Sequence, residues 1–257
     1  MIDTLRISKS ERRVLLYTFI IGLVAHGFML FNKFSLNDDN DCLFRLGLTY
    51  PQGRWLIGIF DDAFQALGTY NVSLPLFNGV LALLLIALSS CYICKALNIT
   101  DTKLQVILGA LMETVIEVAA VLGFMFSAWC NALGILMSAV SALLCIRVCE
   151  KQLSRKYVII SCILLCCSLG IYQAYFSFFI CIVLIRLLLE SSTRNITATS
   201  IVRESCLYCL TCVLAVACYL VINSAFLNIK GVSMTTYQGM DNWGMAGGAG
   251  QYVTRII

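Results

Sequence analysis

The chain has 257 residues, of which 60% are hydrophobic and only 12% charged, and its mean hydropathy is +0.88. Soluble domains run to about 45–50% apolar and about 25% charged, so these values exclude a water-soluble globular protein. A net charge of +4 gives no reason to expect a nucleic-acid partner, and 2 prolines with 17 glycines exclude a low-complexity chain. The expected fold class is all-α: a polytopic bundle of transmembrane helices forming one domain over residues 1–257.

A bilayer core of about 30 Å needs about 20 helical residues. Apolar runs cover 14–31, 74–94, 104–123, 126–146, 157–189 and 206–228. The run 157–189 is too long for one span and carries Gly170, Tyr172 and Gln173 at its middle. It predicts two short spans meeting in a tight turn, and so seven spans in all. The first run follows Arg6, Lys9, Arg12 and Arg13, which resembles the basic start of a signal peptide. Its apolar stretch is too long and no small-residue cleavage site follows, so it reads as an uncleaved anchor.

With the N-terminus in the cytoplasm of a plasma-membrane protein, the basic residues divide unevenly. Inside fall thirteen, from Arg6 to Arg13, at Lys95 and Lys103, from Arg147 to Lys156, and at Arg186, Arg194 and Arg203. Outside fall five: Lys33, Arg45, Arg54, Lys230 and Arg255. This is the bias of the positive-inside rule. Segments 32–73 and 229–257 then face away from the cytoplasm. Nearly all of the 14 cysteines lie in the apolar runs, where they read as small, packable thiols rather than as disulfides or a zinc site.

The first outer loop concentrates charge. Asn37-Asp38-Asp39-Asn40-Asp41 is followed by Arg45 and by Gly53-Arg54-Trp55. A solvated loop holding a helix end in water would explain the carboxylates alone. Residues 55–68, however, place Trp55, Leu56, Ile59, Phe60, Phe64 and Leu67 on one helical face, with Asp61, Asp62 and Gln65 largely on another. Such a helix is too short to span and would lie in the membrane interface, bringing the acidic loop to the depth of a lipid headgroup.

Inside the membrane, Glu113 and Glu117 are four apart and expected on one face of the span 104–123. Each costs about 2.5–3.5 kcal/mol at the membrane centre on insertion scales. They are candidates to line a cavity for substrate, or carboxyls hydrogen-bonded between helices. Tyr172 and Gln173, at an outer turn, have the hydrogen-bonding capacity to bind a sugar, or else serve the turn itself. His26, the one histidine, reads as a packed, hydrogen-bonded residue.

The N-terminal span, the Asn-Asp-Asp loop, Gly53-Arg54-Trp55, Gly170-Ile171-Tyr172-Gln173-Ala174 and Tyr237-Gln238-Gly239 together resemble the glucosyltransferase type II family of bacterial membrane proteins. Members resemble the C-type glycosyltransferases, multispan enzymes that take a sugar from a polyprenyl-phosphate carrier outside the cytoplasm. The family is longer than this chain, and the end Gly247-Gly248-Ala249-Gly250 with a short polar stretch predicts a domain that continues. The resemblance implies transfer of glucose or a similar hexose to a surface glycan.

Inverting transfer needs a carboxylate to take the acceptor proton and a cation for the phosphate that leaves. The resemblance makes Asp38 and Asp39 the base and its orienting neighbour, whose proximity raises proton affinity. It makes Arg54 the phosphate ligand, through a guanidinium fork, with Trp55 as anchor or flank of the lipid. Asp41, Glu113, Glu117, Tyr172 and Gln173 complete the substrate-binding candidates. A divalent cation on the acidic loop is compatible with oxygen ligands, though the loop alone does not establish a site. The rival expectation is a transporter or flippase subunit that uses Glu113 and Glu117, with the acidic loop as a linker.

Overall fold

The computed structural model describes residues 2–32, 42, 46, 49–69, 73–193 and 198–235. Among these residues the architecture is all helical. After a single turn at Ile2–Leu5, the helices are α1 (Lys9–Phe31), α2 (Trp55–Ala66), α3 (Pro75–Ala96), α4 (Thr102–Thr114), α5 (Ile116–Gly123), α6 (Ala128–Cys149), α7 (Tyr157–Ile171), α8 (Tyr175–Thr193) and α9 (Ala198–Lys230). Five stretches are long and apolar enough to cross a membrane: Lys9–Phe31, Pro75–Ala96, Met125–Cys149, Tyr175–Ser192 and Thr199–Lys230. The pair α4 and α5, bent by 45°, makes a sixth when counted as one span, and α7 is a shorter apolar helix. The apolar runs of the sequence are all helical, the run 104–123 in two pieces, and the run 157–189 divides at Tyr172–Ala174 as expected.

Local chemistry fixes the ends. Ser8 caps α1 in a capping box: its hydroxyl accepts from the Glu11 N–H, and the Glu11 carboxylate accepts from the Ser8 N–H at 2.7 Å. Two orphan amides are thereby satisfied. Pro75 opens α3 at a position where its missing N–H costs nothing.

The centre of the bundle is α3 against α6, lined by fully buried small residues such as Ala82, Ala87, Ser89, Ser138, Ala139 and Ala142. In a membrane, where burial of apolar area no longer drives association, small residues allow the close approach that dispersion needs. Hydroxyls add bonds between helices. Ser141 donates to the Ser161 carbonyl at 2.8 Å, and Ser168 donates to the Gly134 carbonyl at 2.7 Å. Around this core, α1 buries only the stripe Val14, Thr18, Gly22, His26 and Leu30, while Leu16, Tyr17, Ile20, Val24 and Phe28 are exposed. That apolar exterior suits hydrocarbon, not water.

The two ends of the bundle differ. At one, Lys95 donates to the Arg6 carbonyl at 2.6 Å and Arg147 to the Lys95 carbonyl at 2.6 Å. Arg147 pairs with Glu150 at 2.6 Å, and the buried Arg186 bridges Glu150 at 2.5 Å and also Glu190. The other end gathers the start of α2, the turn between α7 and α8, and the last turns of α9.

The expectation that Glu113 and Glu117 share a face is corrected. The helix breaks at Val115, whose ψ of 144° is extended, between α4 and α5. Three β-branched residues in a row, Thr114-Val115-Ile116, are a weak stretch for a helix. Glu113 is fully buried and Glu117 is exposed. Both Glu113 carboxyl oxygens lie without a hydrogen-bond partner among the described residues. They press on α1 at Gly22, where a Cβ would come within 2.6 Å of Oε2. His26 donates to the Glu113 carbonyl at 2.7 Å, the packed and hydrogen-bonded role expected of it.

Candidate functional site

The site is built around the turn that precedes α2. A one-turn 3-10 helix, Tyr50–Gln52, ends at Gly53 with φ +73°, a left-handed conformation that glycine adopts without strain. Arg54 then stands just ahead of α2. The turn needs glycine for space as well, because a Cβ there would meet the Tyr219 hydroxyl at 2.5 Å and Gln173 Nε2 at 2.8 Å.

Those two side chains tie the turn to the rest of the bundle. Gln173 Nε2 donates to the Gln52 carbonyl at 2.9 Å and to the Tyr219 hydroxyl at 2.8 Å. The Tyr219 hydroxyl donates in turn to the Gly53 carbonyl at 3.0 Å. The turn, the α7–α8 connection and α9 are thus locked at one point. Tyr172 takes the neighbouring place: the Arg54 guanidinium lies over its ring, 4.9 Å from the centroid. This cation–π contact holds the guanidinium over the ring.

Trp55 is buried rather than solvent-facing. Its ring stacks on Phe226 of α9 at 6.0 Å and nearly parallel, and rests against Gly170 of α7, where a Cβ would lie 2.5 Å from the indole. Gly170 therefore makes room for Trp55. Of the motifs singled out in the sequence, Gly53-Arg54-Trp55 and Gly170 to Ala174 form one contact surface.

The acidic face of α2 is not simply solvated. Asp61 accepts from the Leu46 N–H at 3.0 Å and from Gln65 at 3.0 Å. Asp62 accepts from the Tyr50 hydroxyl at 2.5 Å and pairs with Lys230 at 2.8 Å, while the Lys230 ammonium lies 5.2 Å from the Tyr50 ring centroid. Burial works to raise the Asp62 carboxyl, but the hydrogen bonds from Lys230 and Tyr50 and the Lys230 charge outweigh it, leaving the group below the ordinary aspartate value. Burial, and then the bond to Asp62, push the Tyr50 phenol upward.

Asp38, Asp39 and Asp41 lie outside the described residues. On either side of that stretch, Asn32 ends α1 and the Leu46 N–H donates to Asp61 of α2. Glu113 and Glu117 are apart from the site: Glu113 packs between α4 and α1, and Glu117 is in the first turn of α5. Among the described residues no group of three or more His, Cys, Asp or Glu side chains is placed to hold a metal ion.

Sequence reasoning missed Tyr50, Tyr219, Asn223 and Lys230. The available signal was the spacing of Tyr219 and Asn223, four apart on one helical face within an otherwise apolar run. The chain matches the family described as glucosyl transferase GtrII over residues 27–250, and it belongs to that family. Comparison with curated proteins and with solved structures finds no match.

Proposed function

We propose that this member of the GtrII glucosyl transferase family moves a glucosyl or similar hexosyl group from a polyprenyl-phosphate sugar to a surface glycan, on the non-cytoplasmic side of the plasma membrane. In this reading the chain crosses seven times with its N-terminus in the cytoplasm, α4 and α5 forming one broken span and α7 a short one. A helix break at membrane depth needs its freed backbone groups satisfied, and here the Glu113 carbonyl accepts from His26 at 2.7 Å. The cluster of Lys95, Arg147 and Arg186 at the opposite end agrees with the positive-inside bias. α2 then lies at the outer interface.

The observation that carries the reading is the fixation of Arg54. Its preceding turn is held by Gln173 and Tyr219, and its guanidinium lies over Tyr172. Such a preorganised cation is what a departing polyprenyl phosphate requires, since it stabilises developing charge without having to reorganise. Asp38 or Asp39 takes the proton from the acceptor hydroxyl as the hydroxyl oxygen attacks the anomeric carbon and the bond to the phosphate breaks. The other orients it, and Asp41, Tyr172 and Gln173 contribute to substrate binding.

The test is transfer of labelled hexose from polyprenyl-phosphate glucose to membrane glycan, by wild type and by the Asp38→Asn and Asp39→Asn variants, each checked for insertion and folding. Transfer by wild type that is lost in at least one variant supports the assignment. Full activity in both variants removes the loop aspartates from the reaction.

A further inference from the structure

At the site's edge, α9 carries a side chain whose hydrogen-bonding capacity is largely unspent. Asn223, one helical turn beyond Tyr219, is 8% exposed. Its Oδ1 is buried and has no hydrogen-bond partner among the described residues. Its Nδ2 meets only the Met234 thioether, at 3.6 Å, and a thioether is a weak acceptor. A buried amide left in this state has lost its water without a firm replacement. Two other buried polar side chains show the contrast: Asn78 donates to the Met125 carbonyl at 2.9 Å, and Ser168 to that of Gly134.

Two further observations give the amide a place and a cover. Asn223 Oδ1 lies 3.7 Å from where a Cβ on Gly53 would stand, so it abuts the residue that precedes Arg54. The indole Nε1 of Trp55, on the other side of Arg54 in sequence, is likewise buried without a hydrogen-bond partner among the described residues. The cover is the segment Gly231–Thr235. It turns back from the end of α9, with the Val232 N–H on the Leu227 carbonyl at 3.1 Å and the Thr235 N–H on the Pro51 carbonyl at 2.8 Å. Between these two anchors it sets Met234, itself only partly buried, against Asn223.

We infer that Asn223 binds a ring hydroxyl of the donor hexose, and that Met234 occupies that hydroxyl's place until the sugar displaces it. The inference rests on the proposed function and deepens it. An amide offers both an acceptor and a donor, the complement of a hydroxyl. The donor sugar is the group bonded directly to the phosphate assigned to Arg54, so a residue touching Gly53 falls on the donor rather than on a distant acceptor. A flexible thioether is an inexpensive plug, since it is apolar and readily repacked.

A cycle of substrate and residue changes tests this with the full chain in lipid vesicles. Transfer is measured from the polyprenyl-phosphate hexose that wild type uses best and from its monodeoxy analogues, with wild type, Asn223→Leu and Asn223→Asp. One deoxy analogue is expected to lose about tenfold or more in kcat/KM with wild type. Asn223→Leu should lose as much on the parent sugar and no more on that analogue. Asn223→Asp, which keeps the shape and an accepting oxygen, should retain the discrimination and guards against a Leu variant that fails to fold.

Equal losses on every donor, or none, would overturn the inference and leave the proposed function standing. No transfer by wild type from any polyprenyl-phosphate hexose would take down both. Met234→Ala should lower KM for the parent sugar, as removal of a competing plug requires, and an unchanged or raised KM counts against the plug.

Discussion

Tyr219 donates its hydroxyl to the carbonyl of Gly53, a residue 166 positions earlier, at 3.0 Å. One phenol on α9 thus fixes the turn that presents Arg54. Tyr219→Phe removes this bond and leaves Gln173 with the Gln52 carbonyl alone. The expected cost is about 1 kcal/mol, concentrated in the geometry of Arg54. Transfer should fall by about fivefold while the melting temperature moves little, and steady-state kinetics beside thermal denaturation will read both.

Gly53→Ala should be the harsher change at the same place. The residue sits at φ +73°, and its new Cβ would stand 2.5 Å from the Tyr219 hydroxyl. Strain of this kind costs about 1–3 kcal/mol, and the knot must open as well. Loss of transfer should exceed that of Tyr219→Phe, and the double variant should lose little more than Gly53→Ala alone. Additive losses would mean that the two residues act independently.

The ion pair between Asp62 and Lys230 sets an acid limit on the end of the bundle that carries Arg54. Because the Asp62 carboxyl is held below its ordinary value, its contribution is present above the unfolded aspartate value of about 4. It is lost as pH falls through the lower folded value. Wild type should therefore be more stable than Asp62→Asn at neutral pH, and the difference should shrink as the pH is taken below about 4. Melting curves of the two proteins from pH 7 to pH 3 check this, and a gap that widens toward acid would contradict it.

Between α1 and α4 the contact of Gly22 with Glu113 makes two opposite predictions. Gly22→Ala places a Cβ 2.6 Å from Glu113 Oε2, an overpacking that costs about 1–3 kcal/mol. Glu113→Gln keeps the shape and removes an ionisable group from a fully buried place, so stability should hold or rise, with transfer retained. Loss of transfer in a stable Glu113→Gln protein would give that carboxyl a role in the reaction.

At the opposite end, Arg186 is 4% exposed and bridges Glu150 and Glu190. Removing one partner of such a buried pair costs about 3–5 kcal/mol because the remaining charge is stranded. Arg186→Met should be strongly destabilised, and adding Glu190→Leu should restore part of the loss. Thermal denaturation of the single and double variants in the same detergent decides it.

Most of the fold was legible because hydropathy is a long-range average and helix length is tied to bilayer thickness. The split of the run 157–189 was readable from Gly170, Tyr172 and Gln173, which no apolar span needs. The same averaging hid Tyr219 and Asn223, since two polar residues scarcely move the mean of a long apolar run. It also gave no hint that Val115 would turn extended and part Glu113 from Glu117. Arg54 and Trp55 could be singled out by type, but not the roles of Gln173 and Tyr219 in holding their turn. Those bonds join segments far apart in sequence and follow only from tertiary packing.

The turn before α2 takes its clasp from α9, the last of the nine described helices to leave the ribosome. A nascent chain emerging into the membrane can insert α1 through α8 in order, but it holds Gly53 and Arg54 without Tyr219 until α9 arrives. That end of the bundle therefore matures late in biosynthesis, and a chain arrested before α9 would stay in the bilayer with the turn ahead of Arg54 not yet clasped.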